Sequence, residues 1–257
     1  MARPADTLQI AGLTPLSTCD WPGRLVATVF LQGCPWRCTY CHNPDLIDPR
    51  TAGVVAWSAI RGLLARRSGL LDGVVFSGGE PTRQAGLADA MTEVRTAGFA
   101  VGLHTGGAYP GRLAAILPLV DWIGFDVKAP ADLYRAVTGV GSSAQRASAS
   151  LRLVLDSGVD VQVRTTVDPT VLDDDDVARL GATLRDLGVR DHVLQEVRPE
   201  GTRSDYAAAL TAHRSGPGPA APTTAAGPAA PTAAAGPATP PVPHAGIAWH
   251  VDETPRR

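Results

Sequence analysis

The sequence predicts an α/β fold built as a partial barrel, and three observations lead there. Short apolar runs rich in β-branched residues recur along the chain, helically spaced stretches separate them, and residues with chemical potential gather just past the run ends. A continuous apolar, β-branched run marks a strand buried on both faces, as in parallel sheets. Strands that alternate with helices imply right-handed β-α-β crossovers. Six such strands follow from Leu25 onward, fewer than the eight of a closed barrel of about 250 residues. The expectation is therefore an open barrel of six units.

In chain order, residues 8–13 are expected as a short strand leading into a turn at Pro22-Gly23. Residues 25–31, Leu-Val-Ala-Thr-Val-Phe-Leu, form the first buried strand. Apolar residues recur at helical spacing over 55–67, and Gly69 and Asp72-Gly73 stop that run before the strand Val74-Val75-Phe76. The alternation continues with a helix at 85–97, a strand at 99–103, a short helix at 112–117 and a strand at 122–126. A helix at 145–157, a strand at 159–166, a helix at 175–187 and a strand at 192–197 complete it. The acidic run at 173–176 reads as a solvated helix start favoured by the helix dipole.

Beyond Tyr206 the composition changes. Residues 221–229 are repeated almost unchanged as 230–238, and no Asp, Glu, Lys or Arg lies between Arg214 and Asp252. A Pro/Ala/Gly tract cannot bury a core, so residues 1–210 are read as the folded domain and 211–257 as a disordered tail. Residues 247–251 read as a frayed end rather than a docked strand. The net charge of −2 gives no basic footprint for nucleic acid, and no apolar run is long enough to span a membrane. Residues 1–10 lack the features of a signal peptide, so a reducing cytoplasm is expected.

The loop after residues 25–31 carries the densest chemistry. Gln32 to Pro44 reads QGCPWRCTYCHNP and holds Cys34, Cys38 and Cys41, three of the four cysteines. Thiolates select zinc, Cu(I) or iron–sulfur, and crowded cysteines in a chain without a secretion signal point to metal rather than disulfides. The C-x3-C-x2-C spacing differs from the separated pairs of structural zinc and from four-cysteine ferredoxin runs. Three thiolates leave one iron of a four-iron cluster without a protein ligand, and an open position is a catalytic feature. A small zinc site completed by His42 or Cys19 is the competing reading.

Other strand ends add polar groups. Ser77-Gly78-Gly79-Glu80-Pro81-Thr82 follows the strand at 74–76. Its glycines allow close backbone approach or positive φ, and Glu80 offers a carboxylate to an ammonium, although an ordinary turn reads the same. Lys128, two residues past Asp126, is the only lysine in the chain. Its compact charge suits a ligand that an arginine fork would not fit, with an accidental surface lysine as the bland alternative. Alternation puts Gln162, Arg164 and Thr166 on one face of their strand. A buried arginine needs an anion, which is either a ligand or a salt-bridge partner. Gln195 is a weaker candidate of the same kind.

The C-x3-C-x2-C spacing with Tyr40 before the last cysteine resembles the signature of the radical S-adenosylmethionine (SAM) enzymes. CHNP, SGGEP, DVKAP and RTT extend the resemblance over about residues 12–200 to the glycyl-radical-enzyme activases, most of all those of anaerobic ribonucleoside-triphosphate reductase. The resemblance implies an open (β/α)6 barrel with a [4Fe-4S] cluster on Cys34, Cys38 and Cys41, whose fourth iron is chelated by SAM. It implies that Gly78, Gly79 and Glu80 contact the methionine amino group, and that Asp126 and catalytic Lys128 lie near SAM. It also places Arg164 at the SAM carboxylate or ribose, and Tyr40 is read either as a face for adenine or as a shield beside the cluster. The implied reaction is one-electron cleavage of SAM to methionine and a 5′-deoxyadenosyl radical, which takes hydrogen from a glycine of the partner enzyme. Reduced flavodoxin or ferredoxin is the implied electron donor. His104-Thr105-Gly106-Gly107 departs from the activases' Asp-Thr-Asn-Gly loop, whose Asp helps bind a monovalent cation, and puts that cation site in doubt. The alternatives are a radical SAM enzyme acting on a small molecule, such as a 7-carboxy-7-deazaguanine synthase, and a non-catalytic zinc-binding module. Cys19 is expected to be spare, packed in its turn beside Trp21 as a small buried hydrophobe.

Overall fold

A computed structural model of the chain describes residues 4–215. Seven strands form one sheet in chain order: β1 (Ile10–Ser17), β2 (Val26–Leu31), β3 (Gly73–Gly78), β4 (Ala100–Thr105), β5 (Trp122–Asp126), β6 (Asp160–Val167) and β7 (His192–Glu196). β2 to β7 run parallel and β1 runs antiparallel to β2. The six parallel strands are those expected from the apolar runs, and with their helices they make the open (β/α)6 unit. β1 and β7 each have a single neighbour in the sheet. The strand expected at 8–13 continues to Ser17, because β1 pairs along β2 as far as Val26.

The helices are α1 (Trp57–Arg66), α2 (Leu87–Thr96), α3 (Pro110–Ile116), α4 (Tyr134–Thr138), α5 (Ser143–Ser157), α6 (Asp174–Asp186) and α7 (Ser204–Ser215). Asp173 caps α6, accepting from the Asp176 N–H at 2.8 Å while Asp176 accepts in return, which gives the acidic run its role. α4 and α7 lie outside the sequence expectation. α7 crosses residue 210, so 211–215 are helix where composition places the start of the tail. The remainder of that tail, including 247–251, lies outside the described residues. Among the described residues no helix is long and apolar enough to cross a membrane.

The main core lies between sheet and helices. Val74 and Phe76 of β3 pack there with Ile60, Leu64, Leu87 and Met91, all buried. The alternate residue Val75 belongs to a separate cluster with Trp21, Val26 and Trp122. Trp21 stacks on Trp122 with ring centroids 5.4 Å apart, and Asp20 accepts from Thr28 Oγ1 at 2.6 Å. Val26 and Trp122 begin their strands, so the turn before β2 plugs the amino-terminal end of the barrel. The carboxyl end is left for the site, where such folds carry their chemistry.

Candidate active site

The cysteine loop leaves the carboxyl end of β2 and is held mainly by its backbone. Cys34 N–H donates to Ile47 O at 3.1 Å, while Arg37 N–H and Thr39 N–H donate to Thr138 O and Val137 O at the end of α4, both at 2.9 Å. Buried Gln32 reaches under the loop, its Nε2 donating to the carbonyls of Asp45 and Asp48 at 2.9 Å. Trp36 and Tyr40 are buried in the main core. Trp36 packs over Gly106 so closely that a Cβ there would lie 2.4 Å from the ring, which excludes any larger residue. The loop is thus clamped before any ligand arrives.

Cys34, Cys38 and Cys41 are free thiols that line one cavity of about 300 Å³. Burial, reinforced by the Glu80 charge, pushes the Cys34 thiol up to about 12, and burial also raises Cys38. Loading such a site with metal must therefore release protons. Among the described residues no three His, Cys, Asp or Glu side chains converge on a point that a single metal ion could occupy. A tetrahedral zinc needs that convergence, whereas a cluster that takes one thiolate on each of three irons does not. His42 places Nε2 3.2 Å from Arg198 O. Cys19 is exposed and lies 3.4 Å from Ser17 Oγ, outside the cavity lining. The expectation that Cys19 packs as a buried hydrophobe is corrected: the plug uses Trp21 and leaves the adjacent thiol in solvent.

Gly78 and Gly79 carry β3 against the cysteine loop. Gly78 has φ +113°, and a Cβ would lie 2.3 Å from Leu31 N; one on Gly79 would lie 2.5 Å from Gly33 O. The close approach here is backbone to backbone, and both glycines still line the cavity. Glu80 is 2% exposed. Its Oε1 accepts from Thr82 Oγ1 at 2.5 Å, Thr105 Oγ1 at 2.8 Å and Thr82 N–H at 3.2 Å, and its Oε2 from Gly106 N–H at 3.0 Å. Burial raises this carboxyl and those donors oppose the rise. With one protein donor, Oε2 retains acceptor capacity toward the cavity.

Opposite stands a charged chain built on β4, β5 and β6. Asp126 and Arg164 are register partners; Arg164 Nε donates to Asp126 Oδ1 at 3.1 Å and Lys128 Nζ to Oδ2 at 3.2 Å. The arginine lies across Gly124, where a Cβ would meet its guanidinium carbon at 2.8 Å. His104 sits 3.2 Å from Arg164 Nη1, 2.7 Å from Asp20 O and 3.2 Å from Ser77 Oγ. Burial raises Asp126, but Lys128 and Arg164 outweigh it and hold the carboxyl at about 2. Burial depresses the Lys128 ammonium, but Asp126 outweighs it and the group stays well above its usual range. Burial and the Arg164 charge hold His104 down at about 4. Lys128 Nζ stands 5.8 Å from the Tyr40 ring centroid, and the Tyr40 hydroxyl is the buried side-chain polar atom without a partner among the described residues.

All the sequence-derived site residues therefore line one cavity: the three cysteines, Tyr40, Gly78, Gly79, Glu80, Asp126, Lys128 and Arg164, with Gln195 at its edge. Arg164 has an anion in Asp126 and also lines the cavity. Sequence reasoning did not single out Asp20, Ser77, Thr105 and Gly106, which also line it. The signal for Thr105 and Gly106 was their position at the end of β4, whereas nothing marked Asp20 in its turn. With an acceptor on one wall and cations on the other, the cavity suits a zwitterion whose ammonium meets Glu80 and whose carboxylate meets Lys128 or Arg164.

The family model of the radical SAM superfamily matches residues 28–186. A protein of Methanocaldococcus jannaschii, named provisionally as a glycyl-radical enzyme activating enzyme, is 29% identical over 204 residues, covering 74% of this chain and 80% of that one. The pyruvate formate-lyase-activating enzyme of Clostridium pasteurianum is 31% identical over 171 residues, covering 64% and 71%. The pyruvate formate-lyase 1-activating enzyme of Escherichia coli strain K12 is 32% identical over 181 residues, covering 66% and 72%. Among solved structures, Streptococcus suis SuiB matches with a TM-score of 0.54 at 13% identity, over 68% of this chain and 39% of that one. The anSMEcpe structure with bound AdoMet matches at 0.52 and 15% identity, over 65% and 49%. This chain spans less than half the length of those two solved structures, and the likeness to them concerns the fold alone.

Proposed function

The chain belongs to the radical SAM superfamily and sits among its glycyl-radical-enzyme activating enzymes, and from that premise we propose that its partner is an anaerobic ribonucleoside-triphosphate reductase. The enzyme uses a [4Fe-4S] cluster and SAM, and the residues present fit both. Three free thiols share one cavity wall, Oε2 of Glu80 has room for another donor, and the Tyr40 hydroxyl waits unpaired beside them. When bound, the cluster supplies the single electron that cleaves SAM into methionine and a 5′-deoxyadenosyl radical.

The chain supplies position and exclusion of water. Cys34, Cys38 and Cys41 would hold three irons of the cluster. Gly78, Gly79 and Glu80 fix the methionine ammonium of SAM, with Glu80 itself fixed by Thr82, Thr105 and Gly106. Asp126 holds Lys128 and Arg164 on its two oxygens, and both cations line the cavity, where they would meet the SAM carboxylate and ribose. Tyr40 flanks the adenine. A reduced flavodoxin or ferredoxin delivers the electron.

What supports the partner reading is that CHNP, SGGEP, DVKAP and RTT each contribute residues to one cavity. The curated relatives named for pyruvate formate-lyase make that lyase the second partner to test. Reduced protein and SAM, mixed separately with the reductase and with the lyase, should give a glycyl radical doublet by EPR in the reductase mixture. A doublet in the lyase mixture alone transfers the assignment to the lyase. If 5′-deoxyadenosine forms and neither enzyme acquires a radical, the small-molecule reading replaces this one.

A further inference from the structure

We propose that the outer face of the cysteine loop is the docking surface for a small acidic one-electron carrier protein. This rests on the reading of the cavity as the cluster site. Cys34 and Ile47 line that cavity and also a second cleft of about 560 Å³ behind the loop. The wall between them is thus a single turn of chain, with a cluster ligand in it. A carrier seated in the outer cleft is separated from the thiols by that turn, which Cys34 and Ile47 share with both openings.

The charge of the cleft fits an acidic partner. Arg37, Arg50 and Arg203 reach it from three separate segments, and Asp48 is the only carboxylate in its lining. Arg50 binds both oxygens of Asp48, at 3.0 and 2.8 Å, which cancels one of the three positive charges. Arg203 pairs with the exposed Asp205 at 3.3 Å, which offsets a second charge, and Arg37, whose charge also acts on Asp48, supplies the remaining one. Arg83 extends the basic rim: its Nη1 and the Pro49 ring lie within 3.1 Å of one point above Gly33. The chain as a whole carries a net charge of −2, so this face departs from the molecular average. Pro35, Pro44 and Pro49 stiffen its floor, and Gln32 ties that floor to the end of β2. In the transfer, the carrier's reduced flavin or iron–sulfur centre loses one electron and the cluster gains it; no proton or bond is exchanged between the two proteins. Complementary charge at such a surface raises the rate of encounter and makes it sensitive to salt.

The test uses the full chain with its cluster reconstituted and a purified oxidised flavodoxin as the probe. Binding is measured by calorimetry at low and high salt, for the native protein and for the triple variant Arg37→Gln, Arg50→Gln, Arg203→Gln. Binding by the variant should weaken about tenfold and lose most of its salt dependence, while dithionite reduces both clusters equally. Equal binding by the two proteins overturns the proposal. So does salt-insensitive binding by the native protein, a result that stands even if the triple variant fails to load iron. If the native protein cannot cleave SAM with dithionite, the reading of the cavity fails instead, and the two failures are distinct.

Discussion

The site displaces the titration of His104 downward, by burial first and then by the Arg164 charge. Held at about 4 by burial and Arg164, it stays neutral in the folded chain at a pH where the unfolded chain, titrating near 6.5, has already taken up a proton. The unfolded state binds more protons between those values, so stability falls as pH drops from about 6.5 to about 4 and is level above. The advantage of the native protein over His104→Asn should therefore shrink by about 2 kcal/mol between about pH 7.5 and about pH 5, read from urea midpoints. A gap that does not change with pH rules out a depressed histidine. The four cysteines make a second comparison at this scale. Cys34, Cys38 and Cys41 line the cavity and Cys19 does not. Ala at any of the first three should abolish both iron binding and 5′-deoxyadenosine formation, and Cys19→Ala should keep both. Loss of iron from Cys19→Ala would overturn the assignment of three protein ligands. These residues were legible because their types are rare and each follows a strand. The partner of Arg164 was not, since it depends on the register that sets Asp126 beside it.

Elements were legible where burial on both faces imposed a continuous apolar run, as in β2, β3 and β5. They were obscure where a single polar anchor holds them. Asp168, just past β6, is fully buried yet reads in sequence as part of a Val-Asp-Pro-Thr turn. It accepts from Thr39 Oγ1 of the cysteine loop at 2.5 Å, from Thr170 N–H and Oγ1 at 3.0 and 2.7 Å, and from the Tyr206 hydroxyl of α7 at 2.8 Å. One carboxylate thus joins loop, strand end and helix. α7 was missed for the same reason: its buried contacts are few, chiefly Tyr206 and Leu210, so no apolar stripe announces it. Asp168→Ala strands several buried donors at once and should cost about 2–4 kcal/mol, against about 1 kcal/mol for Tyr206→Phe. Urea midpoints measure both. Asp168→Ala should also lose iron faster on dilution, because Thr39 lies between two of the cysteines. Iron retention equal to the native protein would mean that the backbone bonds from α4 hold the loop unaided.

At the scale of the whole molecule, the compositional boundary at 210 and the boundary of packed structure do not coincide, and the difference can be measured. A Pro/Ala/Gly tract signals where apolar patterning stops, but α7 continues to Ser215 on two anchors that the composition hides. Leu210 is fully buried, and Arg214 Nη2 donates to Glu196 Oε1 at 2.6 Å and to Val197 O at 3.0 Å, tying the last turn to β7. Two truncations separate the boundaries. Ending the chain after Gly218 removes only the repetitive tract and the residues beyond it, and should leave the urea midpoint, iron content and 5′-deoxyadenosine formation at native levels. Ending it after Ala209 removes Leu210 and Arg214 together, and the lost leucine burial alone should cost about 2–4 kcal/mol. Much of that cost should fall on cluster retention, because α7 reaches the cysteine loop through Tyr206 and Asp168. Equal stability for the two truncations would show that α7 contributes nothing to the domain. A loss of activity already in the longer one would show that composition misjudged the tract.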